Sequence, residues 1–386
     1  MNAMDAARNE GSAERADARG CELDRLARAI RECERVIPAS WGSVTVKPVP
    51  DAASNYHGLD PRVRARLERR AAARGEDGAA ARFSLRNARR APVYATTAFN
   101  DSVEVEERLV DIDGTHRIDV FIVRPHSLES GRPVLVYLHG GGFHTCGFSW
   151  QEPQMRAIAA RSGCTVVYPE YRLAPECPFP GPVRDAWGAV RWVCDHAAEL
   201  GIDAARIVVG GDSAGASLAN ACALLDRDGV ICRLFEVYPS FDWRRYEDQQ
   251  DYTWSLDCYD IAPGERELIE PRILGIKRCR ERRAGTPVDL YFRNDGDVCD
   301  PLASVLCASD EALAAFPPLT VALAEYDYLR VMGGAALERF ARLGVEVSTY
   351  RYEGVDHGFF DKWESFAQAR ELAWTIADEL AALSER

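Results

Sequence analysis

Ser213 stands in Gly211-Asp212-Ser213-Ala214-Gly215, a G-x-S-x-G pattern in which small residues surround one hydroxyl. The run Arg206 to Val209 just before it is short, apolar and β-branched, and Leu218, Cys222 and Leu225 recur after it at helical spacing. Strand, tight turn, helix is the context in which a serine is exposed above a sheet edge and backbone N–H groups at the helix start face developing negative charge. Taken alone, the pattern also fits a glycine-rich turn carrying an ordinary serine. A serine hydroxyl needs an adjacent base to act as a nucleophile. Of the seven histidines only His357, in Asp356-His357-Gly358-Phe359, follows Ser213. It comes directly after a predicted strand, Val345 to Tyr352. An acid is needed to orient the imidazole and stabilise its protonated form. Asp327 closes the strand-like run Leu319 to Ala324, with Glu325 and Asp356 as rivals. The candidate catalytic residues are therefore Ser213, Asp327 and His357.

Negative charge on a tetrahedral oxygen needs backbone donors. His139-Gly140-Gly141-Gly142-Phe143 follows the apolar run Pro133 to Leu138 and lets the backbone approach a substrate closely. The expected oxyanion hole is Gly140, Gly141, Gly142 and Ala214, with Gly140 shaping the loop and the others donating. The stretch lacks the G-x-G-x-x-G and Walker patterns, so nucleotide binding is not expected. No cofactor and no metal site is expected.

These groups need a scaffold that brings distant segments to one rim. From Val103 onward the chain alternates strand and helix patterns. A hairpin is predicted over Val103 to Val123 across Asp113-Gly114, and strands over Pro133 to Leu138, Cys164 to Tyr168, Val230 to Tyr238, Leu319 to Ala324 and Val345 to Tyr352. Helices are predicted near Glu152 to Ala160, Val183 to Ala197 and Ala335 to Arg342, with another at the end of the chain. That alternation means an α/β fold with a mostly parallel sheet flanked by helices, whose site lies beyond the C-terminal strand ends. Upstream, Met1 to Gly20 reads as a disordered tail. Leu23, Leu26, Ile30, Cys33 and Ile37 read as one helix stopped by Pro38, and Asp60-Pro61 opens a second. Residues 241–287 break the rhythm and read as an aromatic, helical insertion.

The 386 residues are 47% hydrophobic and 28% charged, with a net charge of −13 and a pI near 5.2. An acidic surface argues against nucleic acid and anionic membranes as partners. The 12 cysteines include no C-x-x-C pair, and no apolar leader precedes them, so free thiols and a cytoplasmic location are expected.

Four stretches together resemble the hormone-sensitive lipase family of α/β-hydrolases. They are His139 to Phe143, Tyr171-Arg172-Leu173-Ala174-Pro175-Glu176, Gly211 to Gly215 and His357-Gly358-Phe359. Phe179-Pro180, Asp185 and Asp300-Pro301 fit the same pattern. The resemblance implies a carboxylesterase acting on small-molecule esters of short to medium acyl chains, through a Ser-His-Asp triad and without a cofactor. It also implies a helical cap. The domains expected are a tail over 1–20, cap helices and linker over 21–100, a catalytic domain over 101–240 and 288–386, and a cap insertion over 241–287. Family members continue the acid as Asp-Pro-Leu, whereas this chain has Asp327-Tyr328-Leu329. Arg172 and Glu176 are expected to form a buried ion-pair network beneath the site. An amidase, a specialised natural-product esterase and a non-catalytic binding protein on the same scaffold are the alternatives, and a homodimer is left open.

Overall fold

Ten strands form a single sheet in a computed structural model that describes residues 3–53, 56–72, 84–92, 94, 100–127, 129–249, 251–281, 285–293 and 297–385. The strands are β1 (Arg35–Ala39), β2 (Gly42–Lys47), β3 (Val103–Asp111), β4 (Arg117–Pro125), β5 (Arg132–Leu138), β6 (Thr165–Pro169), β7 (Ile202–Asp212), β8 (Ile231–Val237), β9 (Leu319–Tyr326) and β10 (Val347–Asp356). Their spatial order is β1-β2-β10-β9-β8-β7-β5-β6-β4-β3. Neighbours from β2 to β6 run parallel, while β1, β4 and β3 are antiparallel to their partners. The predicted hairpin is present, with Val103 opposite Pro125 and Asp111 opposite Arg117. Val134 to Leu138 of β5 are all buried, as a strand covered on both faces requires.

The helices are α1 (Ala3–Glu32), α2 (Pro61–Ala72), α3 (Leu85–Ala88), α4 (Phe148–Ser162), α5 (Gly181–Asp195), α6 (Ala197–Leu200), α7 (Ala214–Leu225), α8 (Arg266–Arg278), α9 (Pro287–Tyr291), α10 (Asp310–Ala314), α11 (Leu329–Arg342) and α12 (Ala367–Ala382). Helices α4 and α12 pack together against the sheet, and α5 packs on α7. Helix α2 packs against α8. Asp60 starts α2 as expected, its carboxylate accepting the Arg62 N–H at 2.8 Å. Both helices reach Asp356 at the end of β10, which accepts from Arg272 of α8 at 2.6 Å and faces Arg66 of α2 at 3.5 Å. Among the described residues, no helix is long and apolar enough to cross a membrane.

The N-terminal segment departs from expectation in three ways. Most of the predicted tail is helical, because α1 already begins at Ala3. Its Ala, Arg and Glu residues favour helix even without a stripe of apolar side chains. The helix ends at Glu32, and Ile37 and Pro38 lie in β1 instead of extending it. A proline is tolerated there because β1 is the outermost strand. Residues 21–47 also belong to the body and not to the cap. Leu23, Leu26 and Ile30 bury against Ala367 of α12, and β2 adds to β10 in parallel, with Thr45 opposite Tyr350. Lys47 is buried here, its Nζ 2.8 Å from Glu371 Oε1. Parts of the loop-rich 75–100 stretch lie outside the described residues.

Candidate active site

Parallel strands deliver their C-terminal ends to the same rim, and four of them carry the residues singled out from the sequence. Ser213 follows β7, Asp327 follows β9, His357 follows β10 and Gly140 to Gly142 follow β5. Ser213 Oγ lies 3.0 Å from His357 Nε2, and His357 Nδ1 lies 2.6 Å from Asp327 Oδ2. The other Asp327 oxygen accepts the Leu329 N–H at 3.0 Å. Tyr328, which stands where the family has proline, leaves this geometry intact. Asp327 is buried, and the Tyr238 ring packs 4.7 Å from the imidazole.

The turn that presents Ser213 is strained. Its φ is +54°, a value that non-glycine residues seldom adopt. The structure over-determines that conformation: the Ser213 N–H donates to Val237 at 2.9 Å, and α7 begins at the next residue. Gly215 is obligatory by contact, since a Cβ there would fall inside the Leu138 and His139 carbonyl oxygens.

The glycine loop divides its labour. The Gly140 N–H is spent on Asp212 Oδ1 at 2.9 Å, so this residue is not an available donor to a substrate. Among the described residues, nothing accepts from the N–H groups of Gly141 and Gly142, and both residues line the cavity beside Ser213. Gly141 has φ +97°, and a Cβ would strike the Thr145 carbonyl. His139 is buried beneath the loop, its ring stacked 4.2 Å from Tyr171 and Nδ1 donating to the Gly140 carbonyl at 2.8 Å. Burial pushes its pKa down to about 4, so it stays neutral as a strut. The Tyr171 hydroxyl donates to the His139 carbonyl at 2.6 Å.

Asp212 supports the turn, as its place between Gly211 and Ser213 suggested. It also accepts from Gln151 Nε2 at 2.9 Å and from the Tyr137 hydroxyl at 3.2 Å. Burial, and then the charge of Asp361, push its pKa up to about 7, while the three donors oppose that rise. The expected pairing of Arg172 with Glu176 does not occur. Arg172 binds the buried Asp185 at 2.5 Å, and Glu176 points outward to Arg89 at 2.7 Å. Spacing along the chain could not reveal either partner, because Asp185 comes from α5 and Arg89 from beyond α3.

The cavity over Ser213 has a volume of about 240 Å³. The turn after α8 supplies Cys279 and Arg280, the segment after β8 supplies Ser240 and Trp243, and Asp361 and His144 complete other parts of the wall. Arg280 and Asp361 were not singled out from the sequence: Arg280 stands in a run of charged residues, and Asp361 belongs to no catalytic motif. His144 is buried, and its Nδ1 lies 2.8 Å from the Gly142 carbonyl. Chemically, a hydroxyl, a base, an oriented acid and two unused N–H groups around one void are the parts of an acyl-transfer site.

A family model described as alpha/beta hydrolase fold matches residues 135–361. The chain is 32% identical over 262 residues to the carboxylesterase NlhH of Mycobacterium tuberculosis, a match covering 67% of this chain and 76% of that protein. It is 31% identical over 235 residues to an arylesterase of Saccharolobus solfataricus, covering 58% of this chain and 68% of that protein. Among solved structures, an esterase of Pyrobaculum calidifontis superposes with a TM-score of 0.64 at 27% identity, covering 84% of this chain and 99% of the other.

Proposed function

The chain belongs to the alpha/beta hydrolase fold family, and on that premise we propose that it is a serine carboxylesterase of the hormone-sensitive lipase type. The observation that carries this reading is the unbroken hydrogen-bond chain Ser213–His357–Asp327 beside the unused N–H groups of Gly141 and Gly142. Ser213 Oγ attacks the ester carbonyl as His357 Nε2 takes its proton. Asp327 holds the Nδ1–H and stabilises the imidazolium. The oxyanion meets the N–H groups of Gly141, Gly142 and Ala214; one such donor contributes roughly 3 kcal/mol to the transition state. The leaving alcohol takes its proton from His357. Water, deprotonated by the same nitrogen, then releases the acid from Ser213. The cap is formed by α2 with residues 241–287, and 101–240 with 288–386 form the catalytic body, to which the N-terminal hairpin is an addition.

An active-serine phosphonate and a chain-length series of p-nitrophenyl esters test this reading. A single adduct on Ser213 and turnover of short to medium acyl chains are expected. Absence of both a label and any ester turnover would return the chain to the non-catalytic alternative. Matched anilides should be cleaved far more slowly than the esters, and the reverse order would favour the amidase.

The pH profile follows from the same geometry. Burial works against the imidazolium of His357, but the Asp327 carboxylate outweighs it through charge and hydrogen bonding, so the net shift is upward. The reaction needs the neutral ring, which is lost as pH falls through this raised pKa. The acidic limb of kcat/KM should therefore have its midpoint above the ordinary histidine value of about 6.5. A midpoint at or below that value would contradict the coupling to Asp327.

A further inference from the structure

Arg280 is a buried cation, 3% exposed, and is one of the residues that line the cavity over Ser213. Among the described residues, no carboxylate lies within ion-pair distance of it. Its hydrogen bonds go to neutral oxygens: Nη1 to Ser240 Oγ at 3.1 Å and Nη2 to the Arg244 carbonyl at 3.4 Å. Its Nε–H has no partner among the described residues. Two aromatic faces hold it in place, Trp243 at 5.3 Å and Tyr328 at 5.9 Å from the guanidinium carbon. Asp242, next to Trp243 in the chain, does not neutralise it, because that carboxylate is taken by Arg244 at 2.8 Å. Asp212 and Asp361 also border the cavity; neither lies within ion-pair distance of Arg280, and both accept from the Gln151 amide of α4.

A guanidinium withdrawn from water without a counter-charge is costly, and removing the ion it was built to meet leaves that cost standing. The planar fork with unspent donors matches a carboxylate. We propose that the cavity takes an ester carrying a second, ionised acid group, and that Arg280 is the residue that selects it. The inference rests on the esterase reading of the same site and adds the substrate class. Trp243 and Tyr328 fix the guanidinium from either ring, so that little is lost in ordering it when the substrate arrives.

The experiment compares charged with neutral esters of matched length on the full chain. One arm places the carboxylate on the acyl side, p-nitrophenyl hydrogen glutarate against p-nitrophenyl valerate. The other places it on the alcohol side, 4-acetoxybenzoate against 4-acetoxybenzamide. In at least one arm kcat/KM for the charged ester should exceed that for the neutral one by about tenfold, the effect of one hydrogen bond between charged groups. Arg280→Gln should bring that ratio to near one, and Arg280→Lys should retain part of it. The wild-type comparison needs no variant, so misfolding of Arg280→Gln does not remove the test. Turnover of the neutral esters with no preference for charge in either arm overturns this inference alone, as does an Arg280→Gln enzyme that folds and keeps the wild-type ratio. Failure to cleave any of these esters overturns the esterase reading, and this inference falls with it.

Discussion

Ser213→Ala is expected to lower kcat on a p-nitrophenyl ester by about 10⁶-fold. The substitution removes the hydroxyl that lies within hydrogen-bond reach of His357 Nε2, at 3.0 Å. What remains is the binding surface and the N–H groups of Gly141 and Gly142, and such remnants elsewhere retain about 10³ to 10⁴ of acceleration over water. The fold should survive, because the backbone bond from residue 213 to Val237 does not involve the side chain. Thermal unfolding would check this beside the kinetics. An Ala variant of native stability that works within tenfold of the parent would place the nucleophile elsewhere.

Asp327→Asn should lower kcat by about 10⁴-fold, through proton placement and not through loss of structure. One oxygen of Asp327 accepts the Leu329 N–H and the other accepts from His357 Nδ1. In the amide, the carbonyl oxygen is claimed by the Leu329 N–H, which turns the NH₂ toward Nδ1. That nitrogen must then accept, and the ring proton moves to Nε2, where the base for Ser213 is needed. The acidic limb of the pH profile should shift downward as well, since the carboxylate that favours the imidazolium is gone. An Asp327→Asn enzyme working within tenfold of the parent would show that Glu325 or another acid holds the imidazole.

The residues that carry the chemistry were legible because their local surroundings are constrained. A serine between glycines after a buried strand has few structures open to it, and His357 was the one histidine downstream. Gly140 was harder to place. Its role depends on Asp212, and a glycine's sequence neighbours do not tell a bonded N–H from an unused one. Arg280 was illegible for a similar reason: in Lys277-Arg278-Cys279-Arg280-Glu281 one charge is buried among others that are not, and only the packing of Trp243 and Tyr328 distinguishes it. The N-terminal region misled because Leu23, Leu26 and Ile30 announce a buried face without saying what covers it. Its partner, Ala367, lies near the other end of the chain. Pro38 looked like a helix stop, and the strand it occupies has its neighbour set by β2 and β10, not by local propensity.

The addition of β2 to β10 has a consequence for the order of assembly. Lys47 and Glu371 are 324 positions apart, so during synthesis the first hairpin leaves the ribosome long before the strand and helix that complete it. Until then its apolar positions Val44 and Val46 have no sheet to join. Contacts of such sequence separation close late and slow the approach to the native state. The strand they join, β10, is the one that His357 follows, so the strand that leads to the base gains its second neighbour, beside β9, from a segment made more than 300 residues earlier.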